Sequence, residues 1–185
     1  MLVLGVETLP WFLKFIDSWF EKFGGTTAGY ARQAERTVLP AGGFSIAPAI
    51  CYESIYGEFM GRYVDKGASL ICIITNDGWW GNTPGYKQHM SYARLRAVET
   101  RRWVARSANT GISCFIDPMG TVRDYRPWDK ADALKLAIPA ETVKTFYVRH
   151  GDLLSRVALI ISGFLIGWTL ISAIRKKWFP QPKPA

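Results

Sequence analysis

Within this chain of 185 residues, the segment best suited to covalent chemistry is Ile50-Cys51-Tyr52-Glu53. The cysteine stands where an apolar run, Phe44 to Ala49, gives way to a helix-like stretch from Tyr52 to Lys66. A sharp strand-to-helix turn projects its side chain beyond the sheet edge, and the helix N-terminus behind it carries roughly half a positive charge. Both effects favour an exposed thiolate, the nucleophilic form of cysteine. Glu53 falls in the first turn, where a carboxylate orients a substrate or complements the helix dipole. Spacing alone leaves Cys51 open between a nucleophile and a buried thiol. Cys72 and Cys114 lie inside apolar runs and are expected to be buried thiols. Three cysteines at wide spacing make neither a disulfide framework nor a CxxC metal site.

The elements that must position Cys51 follow from the apolar pattern. Phe44 to Ala49 reads as a strand, and Tyr52 to Lys66 as a helix with Ile55, Phe59, Tyr63 and Val64 on one face. Ser69 to Thr75 is a continuous apolar run of the kind found in strands buried on both faces. Asn76-Asp77-Gly78 breaks it, either as an ordinary turn or as part of a pocket wall. Gln88 to Arg102 is a helix without Pro or Gly; Trp103 to Ser107 and Ile112 to Ile116 are strands. Asp117-Pro118-Met119-Gly120 is a tight turn, with Thr121 to Arg126 returning as its hairpin partner. Ala133 to Ile138 is a further strand candidate. Leu9 to Phe23 has a broad apolar helical face, started by Pro10 and stopped by Gly24-Gly25. It suits either core packing or a membrane surface. On the helix after the turn, His89 is expected to pack or to make a surface hydrogen bond. Arg94, Arg96, Glu99 and Arg102 are expected to pair locally. This alternation of strand and helix argues for an α/β layered sandwich.

The tail has a different character. Val157 to Ile174 is an uncharged run of 18 residues. As a helix it reaches roughly 27 Å, close to the thickness of a bilayer's hydrocarbon core. Arg175, Lys176, Lys177 and Trp178 follow at once, the pattern of a cytoplasmic membrane boundary, and three prolines then end any helix. The domains expected are 1–152, globular; 153–175, a transmembrane helix; and 176–185, a short basic, proline-rich tail. Composition excludes a disordered chain, with 49% apolar and 21% charged residues. The net charge of +8 comes from scattered basic residues without a zinc-finger, RNP or basic-helix pattern, so no nucleic-acid partner is expected.

Gly43-Phe44 through Cys51-Tyr52-Glu53, followed by Ile55-Tyr56-Gly57-Glu58, closely resembles the nucleophile segment of the nitrilase-type carbon–nitrogen hydrolases. Within that superfamily the chain is most similar to the apolipoprotein N-acyltransferase family of bacterial membranes. Leu2-Val3-Leu4-Gly5-Val6-Glu7, Thr75-Asn76-Asp77-Gly78-Trp79-Trp80-Gly81, Gln88-His89, Ala93 to Glu99 and Ser107 to Gly111 match in order, and so does the terminal apolar helix. The resemblance implies an αββα sandwich, here partial, with a Glu–Lys–Cys triad and no metal or organic cofactor. It implies that Cys51 takes an acyl chain from a phospholipid as a thioester and passes it to the N-terminal amine of an apolipoprotein. It also implies that Tyr52, Glu53 and Glu7 serve the catalytic site, and that Trp79 and Trp80 lie on a mobile lid beside Asn76 and Asp77 on the substrate side.

The family's lysine lies just upstream of the segment matched by Leu2 to Glu7, and its general-base glutamate lies further upstream. Neither has a counterpart in these 185 residues, which are therefore expected to be a C-terminal portion that is inactive alone. The implied location is the bacterial inner membrane, with the catalytic domain periplasmic and the C-terminus cytoplasmic. Met1-Leu2-Val3-Leu4 lacks the features of a signal peptide, so export is expected to depend on something upstream. A membrane-anchored amidase and a non-catalytic anchored binding domain are the alternatives.

Overall fold

Between residues 39 and 126 the short apolar runs are too brief for helices, and they assemble into one sheet. The computed structural model describes residues 35–178, with side chains through residue 174. It divides into two units, residues 1–149 and 150–185. The sheet of the first unit has six strands in sequence order: β1 (Leu39–Ala41), β2 (Phe44–Ile50), β3 (Leu70–Thr75), β4 (Trp103–Ala108), β5 (Ser113–Ile116) and β6 (Val122–Arg126). β2, β3 and β4 are parallel, and β1, β5 and β6 join antiparallel at the flanks. β1 pairs with β2 only as far as Ile46. Among the described residues, β2 beyond that point is an edge on this side, a position that tolerates Pro48.

Parallel strands need crossovers, and helices supply them. A 3-10 turn (Cys51–Ile55) and α1 (Gly57–Asp65) lead from β2 to β3. A second 3-10 turn (Asp77–Trp80) and α2 (Pro84–Thr100) lead from β3 to β4. Both helices pack on one face of the sheet. There Ala47, Ala49, Ile71, Ile73, Val104, Cys114 and Ile116 meet Met60, Tyr63, Val64, Ala93 and Ala97, all buried. The opposite face is less covered. Ile46, Pro48, Cys72 and Phe115 are half-buried, and Ile50 and Ile74 are 59% and 60% exposed. One sheet with helices on one face is half of an αββα sandwich.

Several expected elements shift. The helix expected over Tyr52–Lys66 is broken: Tyr56 is extended at φ −88°, ψ 105°, and α1 starts after it. The second helix starts at Pro84 rather than Gln88. Thr83 caps it by accepting the Gly85 N–H, and proline suits the first helical position. β1 was absent from the sequence reading. Ala133–Ile138 forms no strand. Its alternation is present, but among the described residues no neighbouring strand takes up its backbone groups, and Asp132 is drawn into an ion pair with Arg126. The hairpin turn is as expected, with Asp117 Oδ1 accepting the N–H groups of Met119 and Thr121 at 2.9 Å. Leu9–Phe23 and Glu7 lie outside the described residues.

The second unit contains α4 (Leu153–Trp178), preceded by the short α3 (Phe146–His150) at the unit boundary. Asp152 caps α4, accepting the Ser155 N–H at 3.0 Å. Leu153–Ile174 has a mean hydropathy of 2.2 and no buried share, so by length and composition it can cross a membrane.

The two sheet faces predict different sensitivities. Met60→Ala, at a fully buried site, is expected to lower unfolding stability by about 2–5 kcal/mol. Ile74→Ala is expected to change it by less than about 0.5 kcal/mol. Thermal melts of the two variants against the parent chain check this.

Candidate active site

The register of β2, β3 and β4 brings three strand ends to one edge of the sheet. Ile50 pairs with Ile74, and Thr75 pairs with Ala108. Cys51, Asn76 and Asn109 therefore follow at the carboxyl ends of adjacent parallel strands, where open α/β sheets place their ligands.

The turn at Cys51 is tighter than a strand-to-helix junction requires. Cys51 has φ +52°, in the left-handed region, while Ile50 before it is extended. For a residue with a Cβ this conformation costs roughly 1–2 kcal/mol, so the surroundings must hold it. Glu53 reaches back, and its Oε2 accepts the Ile50 N–H at 2.6 Å. Ser54 Oγ donates to the Cys51 carbonyl at 2.9 Å. His89 Nε2, from α2, lies 3.3 Å from the same carbonyl and 3.3 Å from Ser54 Oγ. At the far end, Arg96 Nη1 donates to the Ile55 carbonyl at 2.9 Å. Glu53 is thus occupied with bracing the turn. Burial pushes its carboxyl up, with the Ile50 N–H and the Arg36 guanidinium acting the other way.

Behind the turn is a buried polar chain. His89 Nδ1 lies 2.9 Å from Asp77 Oδ1, and Arg106 Nη2 donates to Asp77 Oδ2 at 2.7 Å. Thr75 Oγ1 also donates to Asp77 Oδ1, at 3.1 Å. These groups come from β3, the turn after it, α2 and β4, and the side chains of Asp77, His89 and Arg106 are at most 1% exposed. Burial by itself would raise the Asp77 carboxyl. The bonds from His89 and Arg106, with their charges, outweigh it and hold Asp77 below the usual carboxylate range. Gly111 makes room for this group, since a Cβ there would run into the Asp77 carboxylate.

The solvent side is aromatic. Tyr52 lies with its ring centroid 6.0 Å from that of Trp80 and 5.6 Å from that of His89. A small hollow is lined by Tyr52, Trp80, Gly85, Gln88, His89 and Tyr92. Trp79 is 86% exposed. Asn76 makes an Asx turn, its Oδ1 accepting the Gly78 N–H at 3.0 Å. The structure thus gathers Cys51, Tyr52, Glu53, Asp77 and Trp80 around one turn, with Asn76 and Trp79 on the adjoining loop.

The thiols differ sharply in setting. Cys51 is half-buried, whereas Cys114 is buried and pushed up to about 11 by that burial. Cys72, expected to be buried, is only half-buried on the second sheet face, and burial there still pushes its thiol up.

Sequence reasoning gave His89, Ser54 and Arg106 no role at the site. The available signal was an arginine, Arg106, within the otherwise largely apolar strand pattern Trp103 to Ser107. Local ion pairing holds for Arg96 and Glu99, at 3.0 Å. It does not describe Arg94, which bonds the Gly120 carbonyl, or Arg102, which bonds those of Ala68 and Val143.

Residues 17–147 match the family model for carbon-nitrogen hydrolase, and the chain belongs to that family. Its relatives include two curated bacterial proteins named apolipoprotein N-acyltransferase. The one from Chlorobaculum tepidum is 36% identical over 93% of this chain and 31% of its own length. The one from Azotobacter vinelandii is 33% identical over 80% of this chain and 28% of its own length. The chain thus spans less than a third of the length of either. A crystal structure of a carbon-nitrogen hydrolase from Helicobacter pylori G27 shares the fold, with TM-score 0.50 at 10% identity over 56% of this chain and 43% of that one.

The buried carboxylate gives a pH test. Because the folded state holds Asp77 low, its stabilisation is full above the ordinary carboxylate pKa and is lost as pH falls through the lowered folded value. Asp77→Asn leaves Arg106 buried without its counter-charge, and is expected to cost about 3 kcal/mol near neutral pH. Denaturant melts across the acid range should show the parent and variant converging as pH falls.

Proposed function

We propose that Cys51 is the nucleophile of a two-step acyl transfer in bacterial lipoprotein maturation. The observation that carries this reading is the left-handed Cys51 backbone at the carboxyl edge of parallel strands, next to Tyr52, which lines the aromatic hollow. The relatives' names supply the reaction class.

In the first step Sγ, as thiolate, attacks the acyl carbonyl of a phospholipid ester. The C–S bond forms, the C–O bond breaks, and the departing glycerol oxygen takes a proton. In the second step the N-terminal amine of an apolipoprotein's diacylglyceryl-cysteine attacks the thioester. The C–N bond forms, the amine loses a proton, and Cys51 leaves as thiolate. Tyr52 and Trp80 face the acyl group in this reading, and Trp79 and Asn76 lie on the substrate side. Asp77 acts from beneath, through His89. Keeping water out favours transfer to an amine over hydrolysis.

The membrane reading rests on α4. Leu153–Ile174 spans the inner membrane, and the basic run Arg175-Lys176-Lys177 marks its cytoplasmic end. The catalytic unit is then periplasmic, beside its lipid donor. The general base and lysine implied by the resemblance are not assigned among these 185 residues, and Glu7 is kept as an active-site glutamate.

Two outcomes test the proposal. In bacterial membranes, Cys51→Ala in the protein carrying this sequence is expected to reduce N-acylation of a diacylglyceryl lipopeptide by about 10⁴-fold or more, with loss of the thioester seen by mass spectrometry. Preferential acyl release to water would favour an amidase instead. The 185-residue chain assayed alone is expected to show no turnover, and turnover there would refute the need for the unassigned base and lysine.

A further inference from the structure

The nucleophile turn is secured in two ways. Glu53 to Ile50 and Ser54 to Cys51 are local bonds that set the shape of the turn. They belong to the segment they brace, so they do not fix where it stands against the sheet. Among the described residues, the longer-range side-chain hydrogen bonds to its backbone come from one face of α2. His89 meets the Cys51 carbonyl, and Arg96 donates to the Ile55 carbonyl. Residues seven apart on a helix share a face about 10.5 Å apart along the axis, so the pair straddles the turn. Both side chains are buried, at 2% and 4% exposure for the whole residues. Ala93, between them, and Ala97, just beyond Arg96, are fully buried and let the helix approach closely.

The imidazole is itself fixed. Ionised Asp77 accepts only, so the proton between it and His89 sits on Nδ1. The other Asp77 oxygen is taken by Arg106, which prevents the carboxylate from turning away. Nε2 is thereby aimed at the Ser54 hydroxyl and the Cys51 carbonyl together. Ser54 Oγ gives its one proton to the Cys51 carbonyl, so in its contact with His89 the hydroxyl oxygen accepts and Nε2 donates. The line from Arg106 through Asp77, His89 and Ser54 to Cys51 is continuous.

We propose that His89 is a positioning residue for Cys51, held in place by Asp77 and Arg106, and that with Arg96 it fixes the nucleophile turn against α2. This rests on reading Cys51 as the nucleophile, and it adds a device that sets where the thiol stands. His89 does not touch the reacting atoms in this account. It acts through the backbone of the residue that does.

The test uses the full 185-residue chain in detergent micelles, with iodoacetamide at limiting concentration and peptide mass spectrometry to read each cysteine. His89→Gln places a polar atom where Nε2 stands. His89→Asn keeps a donor at the Nδ1 position but does not reach the turn. Cys51 alkylation is expected to fall about tenfold in His89→Asn and to stay within about threefold of the parent in His89→Gln, the difference expected of one hydrogen bond. Melting temperatures of the two variants should agree, because a purely structural histidine would move stability and leave relative thiol rates alone.

Equal Cys51 rates in both folded variants would overturn the proposal. So would failure of both variants to fold, which assigns the network to stability alone. If only His89→Gln folds, the proposal stands when its Cys51 rate is retained and falls when it drops tenfold. If only His89→Asn folds, the proposal stands on the tenfold loss and falls without it. A parent chain whose Cys51 reacts no faster than Cys72 and Cys114 would remove the nucleophile reading itself. That arm is separate from the comparison of variants.

Discussion

The left-handed backbone at Cys51 is the constraint on which the site depends. A side chain with a Cβ does not stay at φ +52° unaided, so the neighbouring structure must supply what the local conformation lacks. That requirement explains why a glutamate two residues on turns back to the Ile50 N–H, and why a serine three residues on bonds the Cys51 carbonyl. It also explains the buried face of α2. His89, Ala93, Arg96 and Ala97 form a stripe in which the two polar groups that reach the turn are set among short side chains that bring the helix close. An ordinary amphipathic helix would present larger apolar residues there. This one gives up apolar burial to hold a neighbouring turn.

Such a device depends on burying charge, which is favourable only when every partner is in place. Asp77 is fully buried, yet both its oxygens are bonded and a guanidinium lies beside it. Its two principal partners come from different elements, α2 and β4, so the network forms only after the sheet and helix have docked. Strand pairing, helix packing and site geometry are therefore one event. Small residues complete the fit: Gly111 leaves the space that the carboxylate fills, and Gly57 leaves space near Arg96 and Tyr147.

Much of this was legible in the sequence, because the signals were periodic or local. The parallel strands showed as apolar runs, the turn at Asp117–Gly120 as turn chemistry, and the terminal helix as an unbroken apolar stretch. Cys51 stood out because it lies between a strand pattern and a helix pattern. What stayed hidden depends on contacts between distant residues. Nothing in the neighbourhood of His89 announces that it lies 3.3 Å from the carbonyl of a residue 38 positions earlier. The break at Tyr56 was masked by a periodicity that runs straight through it, and the Ile55 carbonyl is taken instead by Arg96. Ala133–Ile138 shows the opposite failure: its alternation is real, but a strand is made by its partner as much as by its own pattern.

The account's central claim, that Cys51 is held in a strained backbone for the sake of its thiol, can be read from stability alone. Compare Cys51→Gly with Cys51→Ala by denaturant melts of the same chain. Glycine adopts positive φ without steric penalty, so the account predicts that Cys51→Gly is the more stable of the two by about 1 kcal/mol. At an ordinary position the freer unfolded chain makes glycine the less stable by about the same amount. Finding Cys51→Gly less stable than Cys51→Ala would contradict the strained turn and the positioning built on it.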